Sequence, residues 1–233
     1  MEPLYNPAKG VLKVALFLSD DGSLARPLLQ ELPRNCTVVV IFSDSDTSAA
    51  REMGMMFQVP VVTNDLGAFC EARGAKRSDM AVREQFDAHT VTAITGYNPH
   101  LVVLAGYATL VTEPLLDKYV VINVHLADLS QRDPEGKPLF PGLHPVMDAL
   151  SSGMTHVAAS THIATESMDE GLVLMISRPV PAGQDMAETE MRVKEEAALL
   201  LRTTLGHLAA GRFACQDGKL YHDGILLSYG VRL

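Results

Sequence analysis

The sequence predicts a single-domain α/β protein: a mostly parallel, doubly wound, Rossmann-like sheet with helices on both faces, then a long C-terminal helix and a small hairpin. Leu101–Gly106 and Tyr119–His125 are continuous apolar runs, which is typical of strands buried on both faces. Such runs alternate with helical patterns across short links, as in parallel βαβ units. With 233 residues, 47% of them hydrophobic, the chain can bury one large core.

The composition argues against several classes of protein. A formal net charge of −9 without a Lys/Arg cluster argues against a nucleic-acid surface. The cysteines Cys36, Cys70 and Cys215 have no C-x-x-C spacing and fit reduced thiols. The sequence has no basic, apolar leader and no run near the ~20 apolar residues of a membrane helix. We expect a cytoplasmic monomer or homodimer that acts on small molecules, without nucleic-acid or membrane partners.

The first half of the chain predicts three strands and three helices. The strands are Val11–Ser19, Cys36–Ser43 and Val59–Thr63, and the helices are Leu24–Leu32, Ser48–Phe57 and Asp79–Gly96. Asn64–Arg77 is polar and predicted to be irregular. We take residues 1–10 as an N-terminal extension and residues 11–233 as the domain.

The second half predicts four strands, two helices and a closing hairpin. The strands are Leu101–Gly106, Tyr119–His125, Val157–Thr165 and Val173–Val180, the helices are His144–Ser152 and Met186–Ala210, and the hairpin lies within Phe213–Leu233. The polar segment Gln131–Pro138 is either a lid, a loop that selects the substrate or a longer surface connection. We assign residues 214–233 to the closing hairpin.

Two polar residues, Asn123 and His125, end the apolar run Tyr119–His125. Residues two apart on a strand face the same side, so the amide and the imidazole should project together. The carboxyl end of a strand in an open α/β sheet is where ligands bind. The alternative is that both side chains cap the strand and satisfy loop backbone groups, since so short a motif recurs by chance.

Four segments carry a resemblance to a known family. They are VVLAGY (Val102–Tyr107), INVH (Ile122–His125), FPGLHPVMDAL (Phe140–Leu150) and STHIATESMDEGLVL (Ser160–Leu174). In this order they resemble the glycinamide ribonucleotide formyltransferases and, more broadly, the formyltransferases that use 10-formyltetrahydrofolate. The resemblance covers Leu12 to Phe213. It implies formyl transfer from that donor to a primary amine, glycinamide ribonucleotide in purine biosynthesis, with residues 11–97 on the acceptor side and 98–213 on the folate and catalytic side.

The resemblance also implies site residues. The catalytic group would be Asn123, His125 and Asp169. The donor-binding residues would be Arg83, Ala108, Thr109, Leu110, Val111, Thr165, Glu166, Ser167 and Met168. Arg83 stands in an R-x-x-x-D pattern, and a solvated helix-surface arginine is the alternative. The family usually has an arginine at the position of Thr109, so donor contacts there should come from the backbone.

The acceptor side departs from the family at the turn after the first strand. The family has G-N-G-S-N, and this chain has Asp20-Asp21-Gly22-Ser23-Leu24. The resemblance implies that Asp21, Gly22 and Ser23 bind the acceptor, yet two carboxylates oppose a phosphate by about 1–4 kcal/mol, depending on exposure. The alternative is an ordinary acidic turn with Ser23 capping the helix.

The acceptor side departs a second time on the C-terminal helix. The substrate-binding glutamate of the family is in register with Ala197, so the adjacent Glu196 becomes the candidate. His144 follows a Pro-Gly turn and is interpreted as a helix-start residue facing the acceptor. His162 is interpreted as structural, although the resemblance brings it close to the site.

Formyl transfer needs an oxyanion donor, a proton carrier and a group that holds the carrier in place. Asn123 offers an amide, worth about 2.7–4 kcal/mol as one good donor. His125 titrates near neutral pH, and Asp169 would orient it and stabilise its charged form. A metal held by His125, His144, His162 and Asp169 is the rival, but tight spacings such as H-E-x-x-H are missing, so no metal is expected.

Three alternatives to glycinamide ribonucleotide formylation stay open. An acceptor without phosphate, such as an amino-sugar, is consistent with Asp20 and Asp21. A formyltetrahydrofolate hydrolase would use water in place of the amine, but that subfamily usually carries an extra N-terminal regulatory domain, and about ten residues precede the first strand here. A non-catalytic folate or nucleotide binder would keep the fold without the acceptor site.

Overall fold

The computed structural model describes residues 2–233. In chain order the strands are β1 (Glu2–Pro3), β2 (Leu12–Phe17), β3 (Cys36–Ser43), β4 (Val61–Thr63), β5 (Leu101–Leu104), β6 (Val120–His125), β7 (His156–Val157), β8 (Ser160–Ile163), β9 (Val173–Ile176), β10 (Val180–Pro181), β11 (Phe213–Gln216), β12 (Lys219–His222), β13 (Ile225–Leu226) and β14 (Val231–Arg232). The helices are α1 (Ala25–Gln30), α2 (Ala50–Phe57), α3 (Leu66–Glu71), α4 (Met80–Thr95), α5 (Glu113–Lys118), α6 (Pro145–Ser151) and α7 (Met186–Ala209), and Pro7–Lys9 forms a 3₁₀ turn.

The centre of the fold is an eight-stranded sheet with the order β14-β9-β8-β6-β5-β2-β3-β4. Strand β8 runs antiparallel to both of its neighbours, β6 and β9, and the other adjacent pairs are parallel. The mostly parallel sheet predicted from the sequence is confirmed. The pairing of β6 with β8 places Asn123 opposite His162, so residues 39 apart in the sequence become neighbours.

Helices cover both faces of this sheet, as the apolar strands predict. Along β2, Leu12, Val14 and Leu16 pack on the face covered by α1, α2, α6 and α7, whereas Ala15 and Phe17 pack on the face covered by α3, α4 and α5. This alternation follows from the two-residue period of a strand. Because both faces of the central strands are covered, polar side chains of β5 and β6 can reach a cavity only at the ends of these strands.

The C-terminal segment forms more than the predicted hairpin. Strands β11 and β12 pair antiparallel, as expected for a hairpin, and β13 extends this small sheet. Strand β1, inside the segment taken as an extension, pairs with β11. The prediction that Phe213–Leu233 is only a hairpin is wrong at its end, because β14 returns to the main sheet and runs parallel to β9.

Two short helices differ from the sequence prediction. The segment Asn64–Arg77, predicted to be irregular, contains α3, which begins where the Asp65 carboxylate accepts a hydrogen bond from the Ala68 amide at 2.8 Å. Helix α5 was not predicted. Each has six residues, which is too short to display an apolar period clearly. None of the helices within residues 2–233 combines the length and the apolar character that spanning a membrane requires.

Candidate active site

A cavity of about 420 Å³ lies at the carboxyl ends of β5 and β6. Its walls come from the loop after β5, the end of β6, the turn before α6, the loop before β9 and one face of α7. This volume is within the range of small-molecule sites, and its position is the one at which open α/β sheets bind ligands. It is therefore the candidate active site.

Three polar side chains meet at the floor of this cavity. Asn123 and His125 project together from the end of β6, and Asp169 comes from the loop between β8 and β9. The Asp169 Oδ1 atom lies 3.5 Å from His125 Nδ1 and 3.4 Å from Asn123 Nδ2. His125 and Asp169 are 5% and 8% exposed, so water screens their interaction little.

A hydrogen bond made by Nε2 fixes the ring orientation of His125. His125 Nε2 lies 2.7 Å from the carbonyl oxygen of Phe140, which can only accept a hydrogen bond, so Nε2 carries a hydrogen. The basic nitrogen is therefore Nδ1, on the side of Asp169. Burial lowers the pKa of His125, and the nearby Asp169 carboxylate opposes this only in part. His125 is thus a neutral base at neutral pH.

Asp169 is held as a carboxylate. Its Oδ2 atom accepts a hydrogen bond from the Gly142 amide at 2.9 Å. Burial alone would raise the pKa of Asp169, but His162, His125 and the Gly142 amide together outweigh burial and lower it. An ionised Asp169 beside a neutral His125 can stabilise the imidazolium that forms when Nδ1 takes up a proton.

The backbone around Asp169 depends on the glycine two residues after it, Gly171. Asp169 adopts a left-handed φ of 58°, which is uncommon for residues other than glycine. Two residues later the chain passes so close to β8 that a Cβ at Gly171 would overlap the carbonyl oxygen of Ile163. Glycine at this position therefore lets the loop turn Asp169 back toward β6.

His162 has a more direct place in the site than the sequence suggested. Its Nε2 atom lies 3.0 Å from Asn123 Nδ2 and 3.4 Å from Asp169 Oδ1, and the side chain is 2% exposed. Its Nδ1 atom lies 3.2 Å from the carbonyl of Ile163. His162 thus orients the Asn123 amide from inside the sheet. The pairing of β6 with β8, which the sequence analysis did not predict, is what brings the two side chains together.

The loop over residues 108–111, expected to bind the donor, lines the cavity with all four residues. Side chains behind it fix its backbone. The Ser19 hydroxyl accepts a hydrogen bond from the Ala108 amide at 3.1 Å and donates one to Asp44, which also accepts one from the Thr109 hydroxyl. Asp44 is 3% exposed. No local sequence pattern points to this network, because Asp44 lies 65 residues before Thr109.

Two residues of the R-x-x-x-D pattern on α4 hold the same loop. The Arg83 guanidinium donates to the carbonyl of Leu110, so this arginine, expected to touch the donor, instead meets the back of the loop. Asp87 accepts hydrogen bonds from the amide and the hydroxyl of Thr112 at 2.6 and 2.7 Å. Burial raises the pKa of Asp87 to about 6, against the effect of those bonds. Both ends of the loop are therefore anchored.

A comparison with protein families assigns the chain. Residues 12–205 match the family described as Formyl transferase. The chain belongs to the formyl transferase family. Phosphoribosylglycinamide formyltransferase of Mycobacterium tuberculosis (strain H37Rv) is 29% identical over 231 residues, which cover 94% of this chain and 98% of the relative.

Solved structures share the fold of this formyl transferase. Glycinamide ribonucleotide transformylase 1 from Symbiobacterium toebii has a TM-score of 0.76 at 23% identity, covering 91% of this chain and 94% of that one. A formyltetrahydrofolate deformylase from Pseudomonas syringae pv. tomato has a TM-score of 0.73 at 20% identity, covering 91% of this chain and 66% of that one. The architecture is therefore common to proteins of both names.

The remaining expected site residues of this formyl transferase fall in different places. Thr165 and Met168 line the cavity, but Glu166 and Ser167 line a neighbouring open groove against α5, because the loop turns them outward. Glu196 does not line the cavity. It pairs with Arg178 at 2.8 Å on the outer side of α7. Glu196 therefore lies away from this cavity.

Residues of α7 that the sequence analysis did not single out line the cavity together with part of the turn after β2. Glu190 and Lys194, four residues apart on α7, line the cavity and pair with each other at 2.8 Å. From the turn after β2, Asp20 lines the cavity, whereas Asp21, Gly22 and Ser23 do not. His144 stands at the start of α6 and also faces the cavity. One end of this cavity is thus built from Asp20, α7 and the start of α6.

Proposed function

We propose that this chain is a formyltransferase that moves a formyl group from 10-formyltetrahydrofolate to the primary amine of glycinamide ribonucleotide in purine biosynthesis. The observation that carries the proposal is the convergence of Asn123, His125 and Asp169 in one cavity. Membership of the formyl transferase family and the name of the M. tuberculosis relative support the reaction and the acceptor.

The cavity suits the donor that we propose. Around the loop over residues 108–111 its walls are apolar, with Leu104, Val111 and Ala164 among them, and the loop offers backbone amides and carbonyls. A flat heteroaromatic ring with polar edges fits such a slot, because the apolar walls contact its faces while backbone groups pair with its edges. The hydrogen bonds behind the loop hold these backbone groups in place. Donor binding therefore does not need a side-chain contact from Thr109.

The reaction forms a bond between the amine nitrogen and the formyl carbon, breaks the bond from that carbon to N10 of the donor, and moves one proton from the amine to N10. His125 Nδ1 accepts the amine proton and returns it to the leaving nitrogen. Asp169 stabilises the imidazolium between these steps. The neutral state of His125 and the ionised state of Asp169 match these roles.

Asn123 supplies the hydrogen bond to the oxyanion. One contact of its amide nitrogen, to His162 at 3.0 Å, fixes the side chain, while the other, to Asp169 at 3.4 Å, is long for a hydrogen bond. That second N–H is therefore available to a substrate oxygen in the cavity, where charge develops during attack. His162 is in this scheme a positioning residue.

We also propose that the protein acts in the cytoplasm. Cys36, Cys70 and Cys215 are unpaired thiols, as expected in a reducing compartment.

An amine-dependent assay tests the proposed reaction. The protein is incubated with 10-formyltetrahydrofolate, with and without glycinamide ribonucleotide, and release of tetrahydrofolate is followed. Release that requires the amine is expected. Release without amine would indicate a hydrolase, and no release with any amine would indicate a binding protein. The variant His125→Ala should lose at least ~100-fold in turnover, the low end of acid–base contributions. His156→Ala, at an exposed position, is the control.

A further inference from the structure

A second cavity, of about 520 Å³, lies at the end of the main sheet opposite to the candidate active site. Its walls come from the segment before β2, the turn after α4 and the end of α5, all of which precede the strands that they lead into. The four residues of β5, at ~3.3 Å each, put about 13 Å between the two cavities. Residues 2–9 precede the segment 12–205 that matches the family, so family membership does not assign this amino-end pocket.

His100 presents a fixed N–H group at the amino-end pocket. Its Nδ1 atom accepts a hydrogen bond from the Lys13 amide at 3.0 Å, and its own amide donates to the Lys13 carbonyl at 2.8 Å. A neutral imidazole whose Nδ1 accepts a hydrogen bond carries its hydrogen on Nε2. The ring also packs against Tyr5, with the two centroids 5.1 Å apart. The Nε2–H group is therefore held in place and available to a ligand.

The amino-end pocket carries more positive than negative charge. Lys9 and Lys118 line it, and the carboxylate in its wall is Glu2. Neither lysine forms an ion pair with any residue between 2 and 233. Burial lowers the pKa of His100, and Lys13 and Lys9 lower it further, so this imidazole stays neutral. A chain with a formal net charge of −9 thus has a locally positive pocket.

We propose that the amino-end pocket binds a hydroxylated phosphate monoester, such as a sugar phosphate. The phosphate oxygens accept hydrogen bonds from the ammonium groups of Lys9 and Lys118 and from His100 Nε2, and such charge-assisted bonds are strong. Glu2, which can only accept when ionised, pairs with hydroxyl groups of the ligand. A cavity of about 520 Å³ has room for the sugar beside the phosphate.

The first test is a calorimetric titration of the protein with ribose 5-phosphate, with ribose and inorganic phosphate as comparisons. We expect saturable binding of ribose 5-phosphate with a Kd of about 1 mM or lower, and binding at least about tenfold weaker for each comparison. No saturable binding of the ester up to about 10 mM, or equal binding of ribose, would overturn recognition of the phosphate. Equally tight binding of inorganic phosphate would overturn recognition of the ester.

A double variant locates the binding. Lys9→Ala combined with Lys118→Ala should raise the Kd for ribose 5-phosphate by at least about tenfold, because two charge-assisted contacts are lost. Lys137→Ala combined with Lys219→Ala removes two exposed lysines outside the pocket and is the matched control for net charge. Unchanged binding in the first variant, or equal weakening in both, would overturn the assignment to this pocket.

The same variant separates this pocket from the proposed reaction. Neither Lys9 nor Lys118 lines the candidate active site, so amine-dependent release of tetrahydrofolate should stay as in the unaltered chain. Loss of ribose 5-phosphate binding with turnover retained is the expected result. A fall in turnover of about tenfold or more, the size of one charge-assisted contact, would contradict the separation of the two sites.

His100 gives a spectroscopic signal from inside the pocket. Lys9 and Lys13 lower its pKa, and a bound phosphate would offset their charge, so the pKa of His100 should rise when ribose 5-phosphate binds. The ring protons are followed by NMR against pH, with and without saturating ligand, and the His100 resonance is identified by its absence in His100→Gln. An unchanged pKa would overturn the contact between the phosphate and His100.

Discussion

His125 turns its Nδ1 atom toward Asp169 Oδ1, 3.5 Å away, because the carbonyl of Phe140 holds Nε2 on the other side of the ring. One nitrogen is thereby fixed as a donor and the other is left as a buried base beside a carboxylate. Burial and this carboxylate act on the pKa of His125 in opposite directions, and burial is the larger effect. The pH dependence of turnover should report this balance.

Asp169→Asn should lower kcat by about 100-fold or more, because the imidazolium loses the charge that stabilises it. Asp169 raises the pKa of His125, so its removal lowers that pKa further. The acid limb of kcat/KM, which reports protonation of His125 in the free enzyme, should therefore move to lower pH in the variant. Profiles of kcat/KM against pH measure both effects.

The control for this experiment is Asp117→Asn, which changes an exposed carboxylate on α5. It should keep both the rate and the acid limb of the unaltered chain. An acid limb that stays in place in Asp169→Asn would show that the titrating group is not His125 or that Asp169 does not act on it.

The main sheet could be predicted because its strands carry strong local signals. The run Cys36–Ser43 forms a strand with the same bounds, and the buried runs at β5 and β6 form parallel neighbours. The strand β14 and the helix α3 could not be predicted. Two residues of strand and six of helix carry too little periodicity, and their positions depend on distant partners.

Within the candidate site, spacing along a strand predicted the direction of two side chains. Alternation along a strand put Asn123 and His125 on one side, and both line the cavity. On α7 the proposed acceptor residue was Glu196, whereas Lys194 lines the cavity. Side chains two positions apart on a helix point about 200° apart. An error of two residues in the alignment therefore turns the predicted side chain to the opposite face of the helix.

Asp44 shows why the support of the donor loop escaped the sequence analysis. It is a buried carboxylate that accepts hydrogen bonds from Ser19, at 2.5 Å, and from Thr109, and these partners lie 25 and 65 residues away. No local pattern marks such a residue. Asp44 should affect donor binding specifically, because the hydroxyls of Ser19 and Thr109 hold the loop that we propose binds the donor.

Asp44→Asn should raise the KM for 10-formyltetrahydrofolate by about tenfold and change kcat by less than about threefold, because one hydroxyl loses its acceptor and the loop shifts. Steady-state kinetics with the donor as the varied substrate gives both constants. Asp46→Asn, two residues away with a side chain that is 61% exposed, is the matched control. A fall in kcat at constant KM would assign Asp44 to the chemical step instead of the donor loop.

The last turn of α7 and the C-terminal hairpin are joined by two histidines, His207 and His222. The Arg212 guanidinium can only donate, so His207 Nε2, 2.9 Å away, accepts its hydrogen bond. His207 Nδ1 then carries the hydrogen and donates it to His222 Nε2 at 3.0 Å. Protonation of either ring would place two N–H groups against each other, so the arrangement requires both rings to be neutral.

This pair should make the fold less stable in acid. The pKa of His207 is lowered by burial, Arg212 and His222, and the pKa of His222 is lowered by burial although Asp223 opposes it. Because both folded values lie below the unfolded value of about 6.5, the stability is fully present above that pH and is lost as the pH falls through the folded values.

The variant His222→Gln keeps an acceptor for His207 and does not titrate, so its Tm should fall less between about pH 7.5 and about pH 5, by on the order of a few degrees. Thermal unfolding at these two pH values, with the exposed-site variant His156→Gln as the control, measures the difference. Equal losses of Tm in the unaltered chain and in His222→Gln would remove His222 from the acid sensitivity of the fold.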